Sequence, residues 1–251
     1  MVNLAQLLVE RFMVTNPNIP VAVTGGGTGV GIAALINGNS DISLCSRDMH
    51  KDEMDIAKKK GVNPNEITVA IDGVAIIVSN KNKLTQIDED QLSDIYSGKI
   101  KNWSQLGGPN EKIVVLSRDR NSGTHTFFLE HVVKHKDKKN KNEFAKDVLM
   151  MPSTQAIVEE VISNSQAIGY IGLGYLTPKV KTLAVAKNRQ SKYIFPTIDN
   201  TTSKLYPISR PLFFYTNGLP RGLVADFIEF TTSEVGQKIV IETGFVPLVK
   251  K

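Results

Sequence analysis

Apolar positions along the chain alternate between two spacings, one helical and one extended. Leu4, Leu7, Leu8 and Phe12 recur at helical spacing, and this helix stops before Asn16-Pro17. IPVAVT (19–24) is short and β-branched and predicts a buried strand. The glycine run GGGTGVG follows, and IAALING predicts a helix ending at Gly38. DISLCS (41–46) predicts a strand, and DEMDIAKKKG (52–61) a helix closed by glycine. ITVAIDGVAIIVS (67–79) is too long for one ordinary strand and carries Asp72-Gly73 in its middle. DEDQLSDIYSG reads as a helix with an acidic first turn, favourable against the helix dipole. KIVVLS (112–117) predicts a strand that runs into RDRNSGT and a helix, THTFFLEHVVKH. STQAIVEEVISN predicts a helix capped at Ser153 or Thr154, and AIGYIGLGYL a strand and turn. PLFFYT (211–216) is extended, and two helices and GFVPL close the chain. The alternation of short strands with amphipathic helices predicts an α/β architecture.

Composition narrows the class. A chain of 251 residues makes one large domain or two small ones, and 41% apolar with 22% charged residues excludes a disordered or fibrous chain. No stretch approaches the roughly 18 consecutive apolar residues of a membrane span. The opening MVNLAQLLVERF lacks the basic start and small-residue cleavage site of a signal peptide. Cys45, the single cysteine, rules out an internal disulfide and any cysteine-built zinc site. The net charge of +5 is mild, and the one dense basic run, HKDKKNKNEFAKD (135–147), reads as a solvated loop and helix start rather than a nucleic-acid face.

One arrangement occurs twice: a strand ending in hydroxyl and glycine residues that opens a helix, at VAVTGGGTGVG and at VVLSRDRNSGTHTFF. Strand C-terminal ends are where open α/β sheets place ligands, and helix N-termini offer unpaired N–H groups to anions. GGGTGVG is not a nucleotide fingerprint, because Val30 falls where G-x-G-x-x-G needs its third glycine, and no G-K-[ST] follows. In the second copy, Arg118, Ser122, Gly123 and Thr124 describe an oxyanion receptor, with Ser46 placed to add a hydroxyl. Asp72 interrupts an apolar run, so it is either paired, with Arg47 or Arg118, or set to accept a ligand's proton. His131 and His135 stand at i, i+4, but Val132 replaces the glutamate of H-E-x-x-H and no third ligand is near, so neither a metal nor a cofactor is expected. No G-x-S-x-G elbow or sequence-placed base serves Ser122, which points to binding rather than catalysis. Asp88, Glu89 and Asp90 read as capping residues and Trp103 as a packing anchor.

In this order the segments VTGGGTGVGIAALINGNSDISLCSR, QLSDIYSGKIKNWSQLGG, SRDRNSGTHTFF, AIGYIGLGYL, YPISRPLFFYTN and GQKIVIETGFVPL resemble the phosphate-binding proteins of bacterial ABC transporters, of the type II periplasmic binding-protein family. The resemblance covers nearly the whole chain. It implies two lobes, each a mixed sheet flanked by helices, with 1–78 plus 211–251 in one, 79–210 in the other and a two-crossover hinge. It implies inorganic phosphate as ligand, held between the lobes by Thr28, Ser46, Asp72, Arg118, Ser122, Gly123 and Thr124. It further implies delivery to permease subunits, a periplasmic or cell-surface location, no enzyme activity, no nucleic acid, and membrane contact only through the permease or a lipid anchor. The alternatives are another tetrahedral oxyanion (sulfate, molybdate or tungstate), a phosphate-ester hydrolase using Ser122 or Thr28, or an adhesin or scaffold on this fold. The chain departs from the family pattern in two ways. It opens about one residue past the threonine of the family's first G-S-[DT]-T-like loop, so the first strand, that loop and the secretion signal are expected outside this sequence. Arg120 stands where some members carry an aspartate that accepts the phosphate proton, which leaves that task to Asp72.

Overall fold

The computed structural model describes residues 1–248. Its first elements are α1 (Val2–Thr15), α2 (Thr28–Ile36), β1 (Ser43–Cys45), α3 (Lys51–Lys59) and β2 (Pro64–Ser79). There follow β3 (Gln86–Asp88), α4 (Glu89–Tyr96), β4 (Val114–Arg118), α5 (Gly123–Phe128), β5 (Leu149–Met151), α6 (Thr154–Ser163) and β6 (Ala167–Gly172). The chain closes with β7 (Val180–Thr182), β8 (Ala184–Ala186), α7 (Ile198–Thr202), β9 (Ser209–Asn217), α8 (Leu223–Thr232) and α9 (Glu234–Glu242). These elements form two compact units. The first holds residues Met1–Ile71, Asn121–Gly123 and those from Arg210 onward; the second holds Asp72–Arg120 and Thr124–Ser209.

In the first unit β1 pairs antiparallel with β9, with Cys45 opposite Phe213, and Ile71 bridges to Val246. Ile32, Leu35 and Ile36 of α2 pack with Cys45, Ala57, Phe213 and Tyr215 into one core. Phe12 of α1 meets Phe227 of α8 edge-on at 5.3 Å, which gives the apolar face of α1 its partner. In the second unit the later half of β2 pairs antiparallel with β6 and β7, while β4 lies parallel to both β6 and β5. The sheet is therefore mixed. Its core centres on stacked Phe128 and Tyr170, with centroids 4.0 Å apart, and on Tyr96, Val132 and Trp103. Trp103 is 1% exposed and its Nε1 donates to the Gln166 carbonyl at 3.1 Å, so it is the expected packing anchor.

Local signals explain most termini. Asp88 accepts from the Gln91 amide while Gln91 accepts from the Asp88 amide, a capping box that starts α4. Ser153, rather than Thr154, caps α6 through the Ala156 amide.

Four expectations need correction. Residues 64–79 form one strand, because both halves of β2 find pairing partners and Asp72-Gly73 does not interrupt it. IPVAVT forms no strand: Ile19, Val21 and Val23 are half-buried and alternate with exposed residues, but no ladder pairs with them among the described residues. The predicted helix 124–135 is α-helical only to Phe128, then makes a π-turn over Leu129–Val133, and His135 and Lys136 take left-handed backbone angles. No helix starts in 135–147; the chain turns there and then adds β5.

Glu89, the first residue of α4, is 7% exposed. Burial pushes its carboxyl up from 4.5 to about 7, although Lys136 and Lys187 favour the charged form. The folded chain thus holds this proton more tightly than the unfolded chain. The associated stability is fully present below pH 4.5 and is lost as pH rises through about 7. Glu89→Gln removes that loss, so urea denaturation should show the variant gaining about 2–3 kcal/mol on the parent between pH 4.5 and 8. A difference that does not change with pH would show that Glu89 ionises without cost.

Candidate functional site

Two clusters hold the residues singled out by sequence. The first lies in the first unit, where β1 ends and α2 begins. Gly26 and Gly27 take positive φ angles of 131° and 86°, which lets the chain turn directly into α2 at Thr28. Thr28 is 3% exposed, and its Oγ1 accepts from the Ser46 amide at 3.1 Å. The Thr28 and Ser46 hydroxyl oxygens are 3.4 Å apart. Asn121–Gly123 packs against them: the Gly29 amide donates to the Asn121 carbonyl at 3.0 Å. A Cβ on Gly123 would collide with both Thr28 Oγ1 and Ser46 Oγ, and one on Gly27 would come within 2.8 Å of the Asn121 carbonyl. Only glycines permit this approach. Thr28, Ser46, Ser122 and Gly123 are therefore brought together, with Ser122 itself 3% exposed. Arg210, 5% exposed, donates through Nη1 to the Ser46 carbonyl at 2.9 Å and so helps to fix the chain just past β1.

The second cluster lies in the second unit at the end of β4. Arg118 donates through Nε to the Met151 carbonyl at 3.3 Å and through Nη1 to Thr154 Oγ1 at 3.0 Å. Its Nη2 donates to Asp119 Oδ2 and to the Pro152 carbonyl, both at 3.2 Å. A guanidinium has five N–H groups, and these bonds engage four, leaving one on Nη1. The backbone beneath is held by buried polar groups. Ser117 Oγ and Tyr170 Oη are 2.6 Å apart, and His125 Nδ1 lies 2.9 Å from the Arg118 carbonyl. A carbonyl only accepts, so Nδ1 carries the proton; burial lowers the His125 pKa and favours the neutral ring. Thr124 is the second residue of α5, and Arg120 is exposed.

Asp72 is 1% exposed and begins the second unit's part of β2. Its Oδ1 accepts from the Leu173 amide at 3.0 Å, and Gly172 lies against the carboxylate. The ion-pair partners expected for it from sequence are engaged elsewhere. Arg47 forks onto Glu53 with two bonds of 2.8 Å, and Arg118 has the partners given above. Burial alone would raise the Glu53 pKa, but Arg47 and the His50 amide hold it below the usual carboxylate value.

Sequence reasoning missed Asp119, Thr154 and Arg210. Asp119 had a signal, as a carboxylate beside a strand-end arginine; Arg210 had none, since it reaches Ser46 across 164 positions. His131 Nε2 lies 3.2 Å from the Pro207 carbonyl, and its pKa falls to about 4, by burial first and Lys136 second. His135 sits past the π-turn, 3.7 Å from Asp90. Among the described residues no group of three or more His, Cys, Asp or Glu is placed to hold a metal ion.

A family model described as a PBP superfamily domain matches residues 2–235. The phosphate-binding protein PstS of Borreliella burgdorferi is 33% identical, over 95% of this chain and 84% of its own length. PstS of Staphylococcus saprophyticus is 34% identical, over 97% and 76%. Among solved structures, a phosphate ABC transporter substrate-binding protein with bound phosphate from Clostridium perfringens superposes with a TM-score of 0.86 at 29% identity, covering 99% of this chain and 96% of that one. An ABC-type phosphate transport receptor from Vibrio cholerae gives 0.77 at 30% identity, covering 98% and 96%.

Because Gly123 touches both hydroxyls, Gly123→Ala should separate Thr28 from Ser46. Thermal denaturation should register a loss of about 1–3 kcal/mol, the usual cost of forcing an extra methyl into a packed site. A variant as stable as the parent would show that the contact yields without strain.

Proposed function

As this chain belongs to the PBP superfamily, we propose that it binds inorganic phosphate and delivers it to an ABC transporter. The observation that carries the reading is the convergence of Thr28, Ser46 and the Ser122-Gly123 turn at the start of α2. Hydroxyl and backbone N–H donors gathered at a helix N-terminus suit a tetrahedral oxyanion, and they need neither metal nor cofactor. Relatives named for phosphate binding or phosphate transport, one of them solved with phosphate bound, support the same choice of anion.

The proposed ligand set is Thr28, Ser46, Ser122 and Gly123 of the first unit with Asp72, Arg118 and Thr124 of the second. Arg118 supplies positive charge through its remaining Nη1 proton, and Met151, Pro152, Thr154 and Asp119 hold it in one orientation. A ligand that draws on both units favours the conformation in which both contribute, and a permease needs such a difference to recognise the loaded protein. Asp72 confers selectivity: HPO₄²⁻ carries a proton that a carboxylate can accept, whereas sulfate would set a lone pair against it. The role is binding rather than ester hydrolysis, and it places the protein outside the cytoplasm, in the periplasm or at the cell surface.

Calorimetry with phosphate, against sulfate as control, tests the reading directly; no heat with phosphate would overturn it. Arg118→Ala should weaken phosphate by about 10- to 100-fold, since one charge-assisted contact is worth ~1.5–3 kcal/mol. An affinity within about twofold of the parent, less than ~0.5 kcal/mol, would remove Arg118 from the ligand set. Asp72→Asn should instead narrow the preference for phosphate over sulfate, by ~1–3 kcal/mol in competitive binding, because an amide N–H can face a fully ionised oxygen. An unchanged ratio would make Asp72 a purely structural acceptor for the Leu173 amide.

A further inference from the structure

The positive charge of this chain is concentrated in two loops of the second unit. Residues 134–146 carry six lysines against Asp137 and Glu143, a net +4; residues 187–192 carry Lys187, Arg189 and Lys192 with no carboxylate, a net +3. The whole chain is only +5, so everything outside these loops is net negative.

The loops are held in place rather than left slack. Asp137 accepts from the Lys139 amide and Asn140 from the Asn142 amide, both at 2.9 Å, while Asn142 reaches Ser93 and the Val133 carbonyl. Phe144 packs on His125, with ring centroids 4.6 Å apart, and on Tyr96 at 5.8 Å. In the second loop Asn188 accepts from the Gln190 amide and the Ser191 hydroxyl, above the Val185–Ile194 bridge.

Both loops converge on the first turn of α4. Arg189 lies 3.7 Å from Asp88, His135 lies 3.7 Å from Asp90, and Lys136 and Lys187 both act on Glu89. Asp88 and Glu89 are buried and anchor the loops without presenting negative charge to solvent, and Asp90 is the one exposed carboxylate of that turn. Lys138, Lys139, Lys141, Lys146 and Lys192 are exposed, and none makes an ion pair among the described residues. The exposed apolar side chains Leu149, Met150 and Phe195 follow these loops within four residues.

We propose that the two loops form a docking surface for an anionic phospholipid bilayer. Of the nine cations eight are lysine, the residue depleted at protein–protein interfaces, where arginine and aromatic anchors prevail. Single-stranded nucleic acid would call for several exposed aromatic side chains to stack on. Among the described residues of these loops and their flanks only Phe195 is exposed, since Phe144 packs against the core and Tyr193 is half-buried. Flexible point charges beside a few exposed apolar groups suit headgroups spread over a plane. This surface shares no residue with the proposed phosphate ligands, so either reading can fail without the other.

The test is flotation of the full chain with phosphatidylcholine vesicles, with and without about 30 mol % phosphatidylglycerol, at about 0.05 M and 0.5 M salt. Binding should require phosphatidylglycerol and be lost at the higher salt. Lys138→Glu/Lys139→Glu/Lys141→Glu and Lys187→Glu/Arg189→Glu should each cut the bound fraction about fivefold or more, with phosphate affinity unchanged. Equal recovery with neutral vesicles, or charge-reversed variants that bind like the parent, would overturn the proposal. Release by soluble glycerol phosphate would also overturn it, by showing a small-anion site in place of a membrane surface.

Discussion

Every peptide group of a buried strand must be paired, and β2 imposes that demand from Val69 to Ser79, where every residue but half-buried Ile71 is buried. In the first unit Ile71 meets it by exchanging two bonds with Val246, at 2.8 and 2.9 Å. In the second unit Val74 donates to Ile208 while Val74–Val78 pair with β6 and Ile77–Ser79 with β7. Asp72 sits at the junction of these two sets of bonds, and the Leu173 amide gives it a donor that the ladder does not. A carboxylate within the otherwise apolar run Val69–Val78 thus takes a backbone donor from the residue that follows β6.

The two candidate clusters solve opposite electrostatic problems. At Thr28 and Ser46 the donors are neutral hydroxyls and amides, closely packed because Gly27 and Gly123 lack side chains. At Arg118 the donor is charged, and carbonyls, a hydroxyl and Asp119 hold it rigid. A guanidinium fixed in this way loses little conformational freedom when it meets an anion. Arg47 differs in kind, because its bidentate pair with Glu53 spends its charge inside the first unit.

Much of this was legible in the sequence because it is local. The glycine turn into α2 at Thr28, the strand-to-helix turn at Ser122-Gly123, the Asp88 capping box and the Ser153 cap each depend on residues within a few positions. What escaped depends on distant partners. IPVAVT has the composition of a strand, but a strand exists only as part of a ladder. Residues 64–79 looked too long until both halves found different neighbours. The support of Arg118 by Met151 and Thr154 comes from a segment more than thirty residues downstream, and no pattern near Arg118 announces it. The π-turn at Leu129–Val133 follows a helical spacing that single-sequence periodicity cannot tell from an α-helix.

The division of the chain also has a bearing on how it folds. Apart from Asn121–Gly123, the second unit is one continuous stretch, whereas the first is assembled from both ends. The contacts that complete the first are remote: Met49 to Tyr215 spans 166 positions and Val69 to Gln237 spans 168. During synthesis the stretch from Asp72 to Ser209 has emerged before β9, α8 and α9 exist, so its contacts are available earliest. Until the last helix leaves the ribosome, α1, α2 and β1 must wait with much of their apolar surface uncovered. The contacts that complete the unit carrying Thr28 and Ser46 are thus the last to become available during synthesis.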